Sequence, residues 1–258
     1  MKDIVKVEFN DTIGKIILNR PAKLNAINQG LASGLLSALQ DANANPDCKI
    51  ILLCGEGASF CAGDDLKELG QGVKDFEEVD KTIAVLQDIT REIMFNDKPV
   101  ICAVQGWAIG AGFSWVLNAD MSIWASDASA FLPEAHYGMY ATGAATFLLS
   151  HRIGSANAME MMMRGNKYSA SRLKDMGLTG EVVEPDKVLD VAYQIATEIE
   201  KIPSKILRDL KYGALKSIKA DIEIALDYEA KKCKEAVRII MGTKEIKEKT
   251  AKFQEGAQ

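Results

Sequence analysis

Histidine is scarce in this sequence, and its cysteines lack the spacing of a metal site. The chain of 258 residues has two histidines and five cysteines. No CxxC pair occurs, and neither His136 nor His151 neighbours a cysteine. Because structural zinc sites are built from closely spaced Cys and His ligands, this pattern argues against a zinc site. The cysteines instead suit buried thiols in a reducing cytoplasm, which is where we expect the protein to act.

Long apolar runs and an excess of positive charge are also missing. The longest apolar runs are short, such as residues 50–54, and this predicts that no helix spans a membrane. The formal net charge of −5 argues against a face that binds nucleic acid. Residues 1–10 mix charges with alternating Val and Ile, which is typical of a strand rather than of a targeting signal. We therefore expect neither a membrane nor a nucleic-acid partner.

What is present is the composition of a globular protein, with 48% hydrophobic and 26% charged residues. Turn residues between two short apolar segments near the N-terminus predict a hairpin. Up to about residue 183, strand-like runs alternate with helical patterns. The predicted strands include residues 5–9, 15–18, 49–54, 100–104 and 121–125, and the predicted helices include residues 31–42, 64–69, 76–95 and 113–118. This alternation predicts an α/β fold with parallel strands and crossover helices.

The pattern changes after residue 185. Residues 188–200, 204–217 and 222–240 are all helical in pattern, with dense Lys and Glu. We therefore divide the chain into a core, residues 1–185, and a C-terminal helical subdomain, residues 186–258. The apolar stripe of these charged helices needs a partner, which predicts self-association.

Two glycine-containing loops follow predicted strands. Residues 59–66 place a small residue and a glycine before an acidic segment, and residues 106–113 directly follow a buried strand. Small residues allow the backbone to approach a ligand, and a strand-to-helix turn directs free N–H groups at developing negative charge. Two such donors would form an oxyanion hole. The glycines can equally serve tight turns or helix packing, and the second loop is not a GxGxxG dinucleotide fingerprint.

Several segments in one order resemble the crotonase (enoyl-CoA hydratase/isomerase) superfamily. They are residues 19–26 (NRPAKLNA), 60–66 (FCAGDDL), 98–106 (KPVICAVQG), 118–123 (NADMSI) and 131–134 (FLPE). The resemblance holds from the hairpin to about residue 185 and more loosely beyond. It implies a spiral of ββα turns with a C-terminal helical trimerisation region, and therefore a homotrimer or a hexamer.

The resemblance also implies the positions of the site. The oxyanion donors would be the N–H groups of Ala62 and Ala111. The substrate would be an acyl-CoA, with coenzyme A present as part of the thioester and no metal or redox cofactor. The implied coenzyme A contacts are Lys23, Leu24, Ala26, Ala62, Gly63, Asp64, Asp65, Leu66, Gly110 and Ala111.

The carboxylates distinguish the reactions that such a site can perform. Of two glutamates common in family hydratases, the first position is Ser114 here and the second is Glu134; a third acidic position is Thr142. Hydration uses two carboxylates with ease, whereas one base suffices to move a double bond from C3 to C2. The sequence therefore favours an enoyl-CoA isomerase of the Δ3,Δ2 type with Glu134 as its single acid/base. Hydratase, thioester hydrolase and non-catalytic CoA-binding protein remain alternatives.

The neighbours of Glu134 predict how that carboxyl behaves. Apolar and aromatic residues surround it in sequence, so burial is expected to raise its pKa towards the working range. His136 lies two residues later. A strand would place both side chains on one face, where His136 could orient Glu134, whereas in a turn His136 would be a satisfied loop residue.

Overall fold

The fold is an α/β arrangement of two sheets and surrounding helices, described for residues 3–65 and 76–241 in a computed structural model. The strands are β1 (Val5–Asn10), β2 (Ile13–Leu18), β3 (Ile50–Gly55), β4 (Val100–Val104), β5 (Trp107–Ile109), β6 (Met121–Ala125), β7 (Ser129–Phe131), β8 (Tyr168–Ser169) and β9 (Glu181–Val183). The helices are α1 (Gln29–Ala44), α2 (Phe76–Met94), α3 (Ala111–Asn118), α4 (Ala145–Arg164), α5 (Ala170–Asp175), α6 (Val188–Ile199), α7 (Ser204–Lys216) and α8 (Lys219–Met241). Short 3-10 helices cover Pro21–Lys23, Glu134–Tyr137 and Pro185–Lys187.

The larger sheet has the strand order β1-β2-β3-β4-β6-β9. β1 and β2 pair antiparallel, which confirms the predicted hairpin, and the remaining neighbours pair parallel. β3 and β4 are buried along almost their whole length, as expected of parallel strands covered on both faces. The smaller sheet has the order β5-β7-β8, and its first strand begins three residues after β4 ends. This short connection between β4 and β5 leads the chain from the core to the candidate site.

Helix α1 shows why the predicted helices form. The Asn28 side chain accepts a hydrogen bond from the Leu31 N–H at 2.9 Å, which caps the first turn. Leu31, Leu35 and Leu39 recur at helical spacing and are fully buried. Helix α4 is interrupted at Gly154, where a φ of +76° breaks the helical path. All five cysteines are buried and unpaired, as predicted.

The three helices predicted after residue 185 are confirmed as α6, α7 and α8. Helix α6 buries Val188, Ala192 and Ala196 in the main core and packs on β4 and β6. Helix α7 inserts the Lys211 ammonium beside Asp120, at 2.7 Å, where backbone carbonyls also accept from it. Helix α8 packs against α2 and α4. The division of the chain at residue 186 stays a prediction. Helix α6, which follows this boundary, packs on the large sheet in the way a core helix does.

The described segments contain neither a membrane-spanning helix nor a metal-binding cluster. None of their helices has both the length and the hydropathy of a membrane span. No group of three or more His, Cys, Asp and Glu side chains in residues 3–65 and 76–241 is arranged to hold a metal ion.

Candidate active site

A tight turn after β2 forms one wall of the site. Leu24 and Asn25 both adopt left-handed backbone conformations, with φ of +50° and +56°. The fully buried Asn25 side chain accepts from the Arg20 N–H at 2.8 Å and donates to the carbonyls of Ser59, at 2.8 Å, and Glu56, at 3.0 Å. Asn tolerates the left-handed region better than most residues, which is the signal that marks this position in the sequence. Asn25 therefore holds the predicted CoA-binding turn to the loop that follows β3.

The turn is bonded directly to the first glycine loop. The Ile27 N–H donates to the Gly63 carbonyl at 2.7 Å, and the Asp65 N–H donates to the Ile27 carbonyl at 2.8 Å. Arg20 forms an ion pair with Asp65 at 3.0 Å. These bonds bring together the predicted contacts of the turn and of the loop, namely Lys23, Leu24, Ala26, Ala62, Gly63, Asp64 and Asp65. Leu66 lies outside the described residues, as does most of the helix predicted at 64–69; Asp64 itself forms a β-bridge with Ile27.

The second glycine loop lies beside the first. The Cys61 N–H donates to the Trp107 carbonyl and the Ile109 N–H donates to the Cys61 carbonyl, both at 2.9 Å. Ala111 begins α3, immediately after Gly110 in a left-handed conformation with φ of +56°. Gly110 and Ala111, predicted from the second loop, therefore lie in the same region as the first loop.

One of the two predicted oxyanion donors requires correction. The Ala62 N–H donates to the Leu24 carbonyl at 3.0 Å, so its proton is already engaged within the protein. By contrast, the N–H groups of Asp64 and Ala111 have no hydrogen-bond acceptor anywhere in residues 3–65 and 76–241. Two adjacent loops thus each present one free backbone donor, but the first comes from Asp64 rather than Ala62.

Glu134 lies next to Gly110, the residue before the second of these donors, at the start of the 3-10 helix after β7. A Cβ on Gly110 would lie 2.8 Å from Glu134 Oε1, so the carboxyl contacts the residue before Ala111. Glu134 Oε2 is buried and has no hydrogen-bond partner among the described residues. Burial raises the pKa of Glu134 to about 8, the charges of Asp64 and Glu229 add to the rise, and its own backbone N–H opposes it. The direction is the one predicted from its apolar neighbours.

Ser114 stands where family hydratases have a first glutamate, and its side chain is buried. Its hydroxyl donates to the Gly110 carbonyl at 3.3 Å, within its own helix. Gly143 packs directly on it, since a Cβ at Gly143 would lie 2.8 Å from Ser114 Cβ. The space around Ser114 is therefore occupied by backbone. Thr142, the third acidic position of the family, is half-buried in the same turn.

His136 does not orient Glu134. Both residues belong to a 3-10 helix, in which positions two apart face different sides. The exposed His136 ring donates through Nε2 to the Arg164 carbonyl at 2.8 Å, at the end of α4. Of the two predicted alternatives, the satisfied loop histidine is the one confirmed.

Two further carboxyls, half-buried Asp64 and buried Glu229, act electrostatically on Glu134, and neither was singled out as an acid from the sequence. Burial raises the pKa of Asp64 to about 6. Burial also raises the pKa of Glu229, on α8, to about 7, although this carboxylate accepts from the Ala144 N–H at 2.7 Å and from the Thr146 N–H and hydroxyl at 3.0 and 2.6 Å. The two adjacent aspartates, Asp64 and Asp65, can be recognised in the sequence. No sequence feature predicts that α8 approaches α4.

Comparisons with known proteins identify the family and the fold. Residues 8–258 match the family described as enoyl-CoA hydratase/isomerase. The chain is 30% identical over 218 residues to a hydroxycinnamoyl-CoA hydratase-lyase of Pseudomonas fluorescens, covering 81% of this chain and 77% of that one. It is 29% identical over 240 residues to a 1,2-epoxyphenylacetyl-CoA isomerase of Escherichia coli, covering 89% and 88%. The crystal structure of an enoyl-CoA hydratase/isomerase from Mycobacterium paratuberculosis superposes with a TM-score of 0.90 at 25% identity, covering 98% and 99%.

The family match spans nearly the whole chain, and the fold is shared along almost its full length with a solved member. The candidate site lies at the turn after β2 and at the two glycine loops singled out in the sequence. The chain is therefore an acyl-CoA enzyme of the enoyl-CoA hydratase/isomerase family, within the crotonase superfamily.

Proposed function

We propose that this enzyme is a Δ3,Δ2-enoyl-CoA isomerase with Glu134 as its acid/base. The observation that carries the proposal is the placement of the Glu134 carboxyl against Gly110, with Oε2 buried and unpartnered in the described part of the chain. Oε2 in that position is shielded from water, and the carboxyl contacts the residue that precedes the free N–H of Ala111. Burying an unpartnered carboxyl oxygen destabilises the fold, and carboxyls with strongly shifted pKa values cluster at functional sites.

The oxyanion hole in this proposal consists of the N–H groups of Asp64 and Ala111. Both are free of intramolecular acceptors in residues 3–65 and 76–241, and the loops that carry them are hydrogen-bonded to each other. Ala111 is also the first residue of α3, so the positive end of that helix points in the same direction. Backbone donors fixed in this way stabilise negative charge on a thioester oxygen without reorganising during the reaction.

The reaction moves one proton and conserves all atoms. The Glu134 carboxylate removes a proton from C2 of a 3-enoyl thioester, and the C–H electron pair delocalises to the thioester oxygen in the oxyanion hole. The resulting dienolate takes the same proton back from Glu134 at C4. The C3=C4 bond is lost, a C2=C3 bond forms, and Glu134 returns to its ionised state. One carboxyl therefore suffices if it reaches both carbons.

Coenzyme A binding is proposed at the turn and loop described above. Exposed Lys23 and Leu24, with Ala26, would contact coenzyme A from one side, and the segment from Ala62 to Asp65 from the other. Gly110 and Ala111 would contact the thioester. Coenzyme A enters as part of the substrate, and no separate cofactor is proposed.

The assembly is proposed to be a homotrimer or a hexamer. Large apolar side chains are exposed to solvent on the last two helices. They are Ile206, Leu210, Tyr212, Ile224, Tyr228 and Ile239. Such a surface is typical of a subunit interface.

The relatives carry names of both reaction types, an isomerase and a hydratase-lyase. Hydration is therefore the second candidate, while thioester hydrolysis and binding without turnover remain as alternative outcomes. The enzyme should be incubated with cis- and trans-3-enoyl-CoA of several lengths, and with crotonyl-CoA, in heavy water. We expect 3-enoyl thioesters to become 2-enoyl thioesters, and Glu134→Gln to abolish this.

Glu160→Gln is the matched control, because Glu160 makes a surface ion pair with Arg164 on α4, away from the proposed proton transfer. It should isomerise at the wild-type rate. Full isomerase activity in Glu134→Gln would overturn the proposal, and tight acyl-CoA binding without any turnover would favour a binding protein instead.

A further inference from the structure

Strand β1 leaves one edge of the larger sheet unpaired in the described part of the chain. It pairs with β2 along its whole length and lies at the end of the strand order. The apolar side chains of Val7 and Phe9, on this strand, are 38% and 49% exposed. Proteins protect such edges with prolines, bulges, charges or a covering element, because an open edge pairs readily with another strand. β1 has no proline, and its register with β2 is continuous.

The hydrogen bonds near the end of the hairpin show which backbone groups of β1 point outward. The Asn19 N–H donates to the Ile4 carbonyl at 2.8 Å, which continues the β1–β2 register by one pair. Bonded and non-bonded pairs alternate along an antiparallel ladder, so every second residue from Ile4 onward bonds to β2. The residues between them direct their N–H and C=O groups away from β2; they are Val5, Val7 and Phe9.

A second copy of the chain matches this edge in one antiparallel register. A two-fold axis at Val7 places Val7 opposite Val7 of the second copy, and Val5 opposite Phe9 of the second copy. These residues have the outward-pointing backbone groups, so each pair would exchange two hydrogen bonds. Between them, Lys6 lies opposite Glu8 of the second copy, and Glu8 opposite Lys6 of the second copy. The strand, Val-Lys-Val-Glu-Phe, is thus complementary to itself in charge.

The neighbouring antiparallel registers lack this property. An axis at Phe9 also engages outward-pointing groups, but it sets both charged residues of β1 opposite uncharged ones. An axis at Val5 would pair most of the strand with residues that precede β1. An axis at Lys6 or Glu8 sets that charge opposite itself and uses backbone groups that are already bonded to β2. Only the axis at Val7 pairs opposite charges and the outward-pointing groups together.

The surface beside this edge has room for a second copy. A groove of about 420 Å³ runs along Val5 and Val7, and α1 lines it with small residues that include Gly30 and Gly34. The Val5 side chain faces this helix, since a Cβ on Gly34 would lie 3.1 Å from Val5 Cγ2. Directly opposed residues of an antiparallel pair share one face of the sheet. Phe9 of the second copy, opposite Val5, would therefore lie on the side of the groove.

The ion pairs that β1 already makes are compatible with this arrangement. Glu8 pairs with Lys15 on β2 at 2.9 Å, and Lys6 pairs with Glu56 at 3.7 Å. Lys6 of the second copy would approach Glu8 from the side opposite Lys15. Positive, negative and positive charges would then alternate across three adjacent strands, which is favourable for cross-strand neighbours.

We propose that β1 is a self-association surface, at which two copies of the chain join their larger sheets into one continuous sheet. The surface is separate from the exposed apolar residues of α7 and α8. It contains no residue of the candidate active site, so the inference does not depend on the proposed function.

Two charge reversals in the full-length protein test the pairing. Lys6→Glu makes both cross-strand charge pairs negative, and Glu8→Lys makes both positive, so each variant should repel its own copy. Sedimentation velocity over a range of protein concentrations gives the number of subunits in each assembly. We expect the wild type to have twice as many subunits as either variant. The dissociation constant of the pair should rise by about tenfold or more in each variant.

An equal mixture of the two variants should restore the wild-type assembly. In a mixed pair, Lys6→Glu and Glu8→Lys again set opposite charges against each other at both positions. Recovery in the mixture would also show that both variants are folded. Lys81→Glu is the control, because it reverses one charge of an exposed ion pair with Glu77 on α2. It should leave the number of subunits unchanged.

Val7→Pro tests the backbone pairing separately from the charges. The Val7 N–H points away from β2, so proline removes a donor to the second copy but none to β2. We expect this variant to have half the wild-type number of subunits. Equal subunit numbers in the wild type and all variants would overturn the proposal and assign any association to other surfaces. A loss in the single variants that the mixture does not reverse would show a general charge effect, and would overturn it as well.

Discussion

The Glu134 carboxyl rests on the backbone of Gly110, so closely that a Cβ at Gly110 would lie 2.8 Å from Oε1. Gly110 also has a φ of +56°, which side chains with a Cβ rarely adopt. The same glycine thus makes room for Glu134 and precedes the free N–H of Ala111. Any side chain at Gly110 would disturb the proposed base and the oxyanion donor together.

Gly110→Ala is expected to lower the isomerase rate by about tenfold or more, because a 1 Å displacement of a catalytic group is costly. Its free energy of unfolding should fall by about 1 kcal/mol or more, because alanine is strained at a positive φ. Gly177→Ala is the control, since Gly177 has a φ of +76° and no atom within 4 Å of an added Cβ. The control should lose stability but keep its activity. Equal activity in the two variants would contradict the contact.

Glu134→Gln should stabilise the protein increasingly as the pH rises. The pKa of Glu134 is raised from 4.5 to about 8, so the unfolded chain releases this proton at a lower pH than the folded protein does. The folded state is therefore favoured below 4.5 and loses that advantage as the pH rises through about 8.

Urea unfolding at pH 5 and pH 9 measures this effect. With pKa values of 4.5 unfolded and about 8 folded, the stability difference between Glu134→Gln and wild type should grow by about 4 kcal/mol over that interval. The exposed Glu160→Gln variant should show no comparable growth. A difference that stays constant with pH would mean that Glu134 titrates as an ordinary glutamate.

Asn25→Ala should destabilise the fold and weaken acyl-CoA binding at the same time. It removes three hydrogen bonds of a fully buried side chain and leaves the Ser59 and Glu56 carbonyls without their donor. The expected loss is about 2–4 kcal/mol in free energy of unfolding, with a higher KM because the turn is released. Asn157→Ala, which removes one exposed bond to the Ile153 carbonyl, should change neither quantity. An unchanged KM in a folded Asn25→Ala would show that the turn does not contact coenzyme A.

Ser114→Ala should leave isomerase activity within about threefold of wild type, because among the described residues the hydroxyl bonds only to the carbonyl of Gly110, which caps its own helix. Steady-state rates with 3-enoyl-CoA at saturating substrate would measure this. A loss of about a hundredfold would instead assign the hydroxyl to the reaction.

The sheet was predictable because its strands are continuous apolar runs. β3 and β4 were placed within one residue of their ends, since a buried parallel strand needs apolar side chains on both faces. The direction of individual N–H groups was not predictable in the same way. Gly63, with a φ of +76°, reverses the local path between Ala62 and Asp64, and so determines which N–H stays free. The sequence motif predicts that a loop forms here, but it does not predict this reversal of the backbone.

The two carboxyls that act electrostatically on Glu134 were missed as acids for a different reason. Glu229 meets Ala144 across 85 positions of sequence, and nothing local in α8 marks it as buried. Asp64 looks in sequence like half of a solvated acidic pair. Only the three-dimensional packing shows that Arg20 pairs with Asp65 and leaves Asp64 alone.

The bond from Glu229 to the start of α4 also bears on synthesis. Ala144 and Thr146 have their N–H groups capped by a residue that the ribosome adds long after them. A nascent chain that ends before α8 lacks this cap, and the turn that packs on Ser114 then keeps the bond from the Asn118 side chain to the Gly143 carbonyl but loses the Glu229 carboxylate. Because domains are made from the N-terminus onward, the catalytic cleft is completed only when α8 has emerged. The enzyme is therefore expected to be inactive on the ribosome until almost the whole chain has been translated.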